Sequence, residues 1–199
     1  IIAAVSVKEY DNGIIKKHEY TRPEKEDDRT IHFQVTKANT GPVFLTFRNN
    51  GGFKSQISGV ISKNKDISFK ASDGTTHSLW RIKDSSTINE ISAYFKRVKS
   101  LYIADGHHRA ASASRVQKEM NKNNINNNED ESYNYFLATI FPHDEVQIMG
   151  YNRVVKDLCG LSDEQFLSKL GENFDIQKLS IQGAPKERFS FTMFLANRW

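Results

Sequence analysis

The chain has 199 residues, 38% of them hydrophobic and 26% charged, ordinary for a globular protein with one domain or two small ones. Its 28 basic and 24 acidic residues leave a net charge of +4, too mild for a nucleic-acid surface, so no nucleic-acid partner is expected. No run approaches the roughly 18 apolar residues of a membrane span, and the single cysteine, Cys159, excludes disulfide frameworks and Cys-based zinc sites within the chain, which points to a reducing cytoplasm.

Residues 1–7 read as strand rather than signal peptide, and without an initiator methionine the sequence reads as an internal fragment of a longer protein. Ala3 to Tyr10 alternates toward Asp11-Asn12-Gly13 and Ile14-Ile15 resumes, which predicts a hairpin. Lys16 to Arg29 follows as a charged segment. Further strands are expected at Val43–Arg48, Ile57–Ile61, Ile67–Ala71 and Ser78–Ile82, the last two joined by Asp73-Gly74, so residues 1–85 read as mainly β. Thr87 with Glu90 forms a capping-box signal, and Ile88, Ile91, Phe95 and Val98 mark one helix face ending near Lys99.

A short strand, Ser100–Ile103, then hands over through Ala104-Asp105-Gly106-His107-His108-Arg109 to a helix reaching Asn121, with Ala110, Ala111, Ala113, Val116 and Met120 as its apolar stripe. Asn121 to Ser132 is a polar, low-complexity loop. Tyr133–Phe141 and Val146–Val155 read as strands joined through residues 142–145, Ser162 caps a helix to about Leu170, and Phe189–Leu195 reads as a last strand. Residues 86–199 are therefore α+β, and the fold class of the whole is α+β with mixed sheets.

The turn at 105–109 carries the chemistry. A strand turning on glycine into a helix leaves unpaired amides aimed at one point, which the helix dipole makes attractive to an anion. Gly106 lets the backbone approach a ligand, Arg109 offers a planar fork for phosphate oxygens, and His107 and His108 can donate hydrogen bonds or move protons near neutral pH. Asp105 reads equally as a cap, a metal ligand or a base.

Among Glu19 to Arg29, the carboxylates Glu19, Glu26 and Asp28 suit a magnesium ion or the deprotonation of a hydroxyl, Arg22 and Arg29 suit phosphate, and a solvated charged loop or helix start is the plainer alternative. Asn39 reads as part of a turn or as a pocket rim, and Asn152 and Arg153 as edge polarity or a pocket wall. His18, His32, His77 and His143 show no H-E-x-x-H spacing, so no zinc site is expected. Cys159, beside Leu158 and Gly160, reads as a small buried hydrophobe. P-loop, α/β-hydrolase and Rossmann fingerprints are missing from the sequence.

The string Tyr102 to Ala110, taken with Lys17-His18-Glu19 to Arg29, Ala38 to Thr46 and Tyr151 to Leu158, resembles a bacterial and archaeal family of unknown function, often labelled ParB-like. The resemblance spans nearly the whole chain, and it implies a parent protein of about 400 residues with an N-terminal portion and a C-terminal tail outside this sequence. The Asp-Gly-His-His-Arg turn is similar to the phosphate-binding turn of the ParB/sulfiredoxin superfamily, which includes a free-serine kinase. The sulfiredoxin cysteine has no counterpart here.

The resemblance implies a strand–turn–helix phosphate-binding unit and a cytoplasmic, magnesium-assisted phosphotransferase or phosphatase acting on a small hydroxy amino acid or its phosphate. In that reading Arg109 and the Gly106–His108 amides hold the phosphate, His107 or His108 neutralises charge, Asp105 or Glu19 activates the hydroxyl, and a nucleotide or other donor supplies the phosphoryl group. The alternatives are a ParB-like nucleotide-binding module and a non-catalytic sensor of a phosphorylated metabolite. Donor, reaction direction and oligomeric state are left open.

Overall fold

The computed structural model describes residues 1–123, 128–185 and 187–199; residues 124–127 of the polar loop lie outside the described residues. The chain divides into two units, Ile1–Gln147 and Ile148–Trp199.

The first unit is built on a mixed sheet of β1 (Ile2–Ser6), β2 (Ile15–Lys16), β3 (Val43–Phe47), β6 (Leu101–Asp105) and β7 (Tyr135–Pro142), in the order β1-β7-β3-β6-β2. Neighbours alternate between antiparallel and parallel: Val5 opposes Phe136, Leu45 opposes both Ile140 and Ile103, and Ile15 opposes Leu101. Period-two alternation puts one side of the strands into the core, where Val43, Leu45, Phe47, Ile103, Phe136, Ala138 and Ile140 are buried. A separate two-stranded hairpin joins β4 (Ile67–Lys70) to β5 (Thr76–Leu79) around the Asp73-Gly74 turn.

Helices α1 (Val7–Asp11), α2 (Pro23–Thr36) and α5 (His107–Asn123) pack together, and α5 touches β3 and β7. Ala110 and Ala113 are buried in the core, and such small side chains let α5 approach the sheet closely. Ser112 donates to the Glu26 carbonyl at 3.1 Å and Ser114 to Asp11 at 2.7 Å, tying α5 to α2 and α1. Helices α3 (Phe53–Ile61) and α4 (Ser85–Lys96) close another part of the core through an aromatic cluster in which Phe47 meets Phe53, Tyr94 and Phe95 edge-on.

The strand expected at Ala3–Tyr10 ends at Ser6. Val7 starts a helix that buries Val7 and Tyr10 on one side, and Asn12 and Gly13, with φ of +72° at the glycine, stop it. No hairpin forms: β2 instead runs parallel to β6. Residues 57–61 are helical, because Phe53, Ile57 and Val60 recur at helical spacing behind Gly52, and the charged segment becomes helical from Pro23, a residue suited to a first helical position. With three helices before residue 85, that portion is mixed rather than mainly β.

Helix α4 is capped by Asp84, which accepts from the Thr87 amide, not by Thr87 itself. In the second unit, α6 (Asp163–Gly171) starts on the capping box of Ser162 and Gln165. Residues 147–155 form no strand: Ile148, Met149, Val154 and Val155 are exposed and lack the neighbour that would complete a ladder. Residues 189–195 form no strand either, only an isolated bridge from Leu195 to Arg198. Cys159 is exposed, with φ of +54° in a turn closed by its amide on Asp157, so it is no buried hydrophobe. Among the described residues no helix is long and apolar enough to cross a membrane.

Candidate functional site

The β6–α5 connection is shaped by two backbone features. Leu101 and Ile103 face the core, and uninterrupted alternation would bury Asp105 beside them; a register shift between Phe44 and Leu45 falls just there, and Asp105 is exposed. Such irregularities re-aim side chains at strand ends. Gly106 follows with φ of +95°, a conformation that favours glycine, and a Cβ on it would lie 3.1 Å from Arg109 Nε and press on the arginine folded over it.

Arg109 is held rather than free. Its Nη2 donates to Asp105 Oδ2 at 2.6 Å, and its Nη1 donates to the Pro42 carbonyl. A Cβ on Gly41 would sit 3.3 Å from Nη1, so the loop before β3 also leaves room for the guanidinium. Two of the five N–H groups of the fork are thus committed, and the plane is fixed. The first intrahelical bond of α5 is donated by Ala110 to Gly106, which leaves the amides of His107, His108 and Arg109 ahead of the ladder.

Both histidines clip the segment that precedes α2 onto α5. His107 Nε2 accepts from the His18 amide at 3.4 Å, and His108 Nε2 accepts from the Arg22 amide at 3.1 Å. His107 is buried, and its Nδ1 lies 3.8 Å from Glu19 Oε2. Burial, reinforced by His18, holds His107 below the usual histidine range against the opposing pull of Glu19 and Asp105. A ring that accepts at Nε2 keeps its proton at Nδ1, so in this arrangement the Nε2 atoms hold the segment in place instead of serving a ligand.

Around the turn lies a cavity of about 510 Å³ lined by Glu19, Glu24, Lys25, Asp28, Arg29, Asp105, Gly106, His107, His108 and Arg109. A second cavity of about 230 Å³ is lined by Arg29, His32, Phe33, Thr40, Gly41 and Arg109, so the two arginines border both. Asp28 also approaches Arg29 Nε, at 3.9 Å.

The structure therefore brings Glu19, Asp28, Arg29, Asp105, Gly106, His107, His108 and Arg109 to one cavity. Arg22 reaches the turn through its backbone amide. Glu26 faces elsewhere: its carboxylate accepts from Thr21 and lies 3.7 Å from Arg115, which pairs with Asp27 at 2.6 Å. Glu26 and Asp28 are two positions apart on a helix and cannot share an ion, because that spacing turns them to different sides. Asn39 accepts from the Leu137 amide at 3.3 Å and anchors the loop to β7 instead of bordering either cavity. Asn152 and Arg153 belong to the second unit, where both are exposed and the Arg153 guanidinium stacks 3.8 Å over the Tyr151 ring.

Glu24 and Lys25 were not singled out from the sequence, and His32 was weighed only as a zinc ligand. Their signal was available once α2 is read as a helix from Pro23, since positions 24, 25, 28, 29 and 32 then fall on one face, the face that meets the turn.

Comparison with curated proteins and with solved structures returned no match. A family model matches residues 1–199, and on that match the chain belongs to the family described as "Protein of unknown function (DUF1015)".

Proposed function

We propose that the chain is a cytoplasmic phosphoryl-transfer enzyme acting on a small hydroxy amino acid or its phosphate, with the β6–α5 connection as a phosphate-binding unit of ParB/sulfiredoxin type. One observation carries this reading: the cavity at the turn combines a fixed guanidinium and free helix-start amides with the carboxylates of Glu19, Glu24 and Asp28. Amides and Arg109 suit the transferred phosphoryl group. Carboxylates lining the same cavity suit the hydroxyl that gains or loses it.

In the kinase direction the hydroxyl oxygen attacks phosphorus, the bond from phosphorus to the donor's leaving oxygen breaks, and the hydroxyl proton passes to a carboxylate. Glu19 is the favoured base, because Asp105 already holds Arg109. Hydrolysis of the phosphorylated amino acid would use the same groups with water as the nucleophile. Magnesium, if used, would sit on the Asp28 and Glu24 side of the cavity and neutralise phosphate charge, since Glu26 faces Arg115.

A module that only bound a nucleotide or sensed a metabolite would need basic groups and amides, not this set of acids. The test is phosphorus NMR on the full-length protein with serine or phosphoserine and a panel of nucleotides. Appearance of a new phosphate ester or of inorganic phosphate supports the enzyme, and silence with every donor leaves the ParB-like module or the sensor.

A further inference from the structure

We propose that His18, Glu19 and His107 form a binding site for one divalent first-row transition ion at the edge of the larger cavity. One ring nitrogen from each histidine and one carboxylate oxygen from Glu19 all lie within 4.8 Å of one another. Two residues adjacent in sequence meet a third that is 89 positions away, which is why no short spacing motif announces the site.

The donor set selects the ion. Two imidazoles and one carboxylate suit zinc, iron, cobalt or manganese, whereas magnesium and calcium prefer oxygen throughout. Three protein donors leave coordination positions open, the arrangement of a reactive rather than a sealed structural site. Glu19 and His107 both line the cavity, so those positions face the space in which a ligand oxygen would lie.

Each donor is available on geometric grounds. The exposed His18 ring meets His107 edge-on, with centroids 4.4 Å apart and planes at 89°, and it makes no side-chain hydrogen bond among the described residues. Glu19 Oε2 stands 3.8 Å from His107 Nδ1, too far for a hydrogen bond. Coordination through Nδ1 puts the His107 ring proton on Nε2, so the His18 amide contact at 3.4 Å, longer than its counterpart on His108, is exchanged for the metal bond. His107 itself is fixed by burial, 4% exposed at the start of α5, so the other two donors close onto a rigid one.

The inference does not depend on phosphoryl transfer and is tested without activity. The full chain is dialysed free of metal and titrated with Co²⁺ and Zn²⁺ by calorimetry, with visible absorption reporting nitrogen ligation of cobalt. One ion per chain is expected. His18→Ala and Glu19→Gln, both at exposed positions, should each weaken binding by at least about tenfold with little change in melting temperature. His77→Ala, on the separate hairpin, should leave binding unchanged. No stoichiometric binding, or binding that survives both His18→Ala and Glu19→Gln, overturns the site.

Discussion

Arg109 and Asp105 are bound to one another across Gly106, Nη2 to Oδ2 at 2.6 Å, so the last residue of β6 fixes the guanidinium of the first turn of α5. Solvent screens the pair, with side-chain exposures of 29% for Arg109 and 72% for Asp105, so its worth lies in aim more than in stability. Arg109→Ala should weaken inorganic phosphate binding roughly 10–100-fold, the loss of one charge-assisted contact. Asp105→Asn keeps the shape and frees the fork, so a smaller loss is expected. Calorimetry with phosphate, alongside thermal melting, checks both; undiminished binding by Arg109→Ala would remove the phosphate seat.

Gly106→Ala tests the turn itself. Alanine at φ of +95° is strained, and its Cβ would push against Arg109 Nε at 3.1 Å. The expected cost is about 1–3 kcal/mol of stability, together with loss of phosphate binding from a displaced guanidinium. By contrast, Gly171→Ala, which meets nothing within 4 Å and has an ordinary φ, should be nearly neutral. Equal melting temperatures for the two variants would contradict the strain argument.

The clips between the two histidines and the segment before α2 were hidden from the sequence, because they join residues 86 and 89 positions apart through backbone amides, whose partners no side-chain pattern records. The strand, the glycine and the helix of the turn were legible because their signals are local: an apolar run, a residue free to adopt positive φ, and a stripe of alanines. Short apolar runs such as residues 57–61 were not, since five residues satisfy both periods and the helical spacing shows only when the run is read together with Phe53, upstream of it. Residues 147–155 fail for the opposite reason, strand-like composition with no neighbouring ladder to join.

Hydrogen exchange reads the clip directly. His108 Nε2 accepts the Arg22 amide at 3.1 Å, so His108→Ala should speed exchange at that amide while the amides of β3 and β7 keep their protection. The loss of one neutral hydrogen bond is worth about 0.5–1.5 kcal/mol, an acceleration of roughly two- to tenfold at the Arg22 amide. An unchanged Arg22 rate would mean that the segment is held by other contacts.

Alkaline unfolding isolates Tyr10. Burial first, then Glu26 and Asp11, pushes its hydroxyl up to about 12, while Lys17 Nζ lies 3.6 Å over the ring. An exposed tyrosine in the unfolded chain ionises near 10. Below pH 10 neither state ionises, so the full stability is present. Between about pH 10 and 12 the unfolded chain releases a proton that the folded one keeps, so the folded state binds more protons and stability falls as pH rises. The loss attributable to Tyr10 is on the order of 1–3 kcal/mol across that window. Tyr10→Phe keeps the edge-on contact with Phe136 and removes the proton, so its stability should decline less steeply than wild type above pH 10 and match the wild-type slope at pH 7–9. Denaturant titrations of both proteins in steps from pH 8 to 11.5 give the comparison, and parallel curves would show that the hydroxyl is as free to ionise in the fold as outside it.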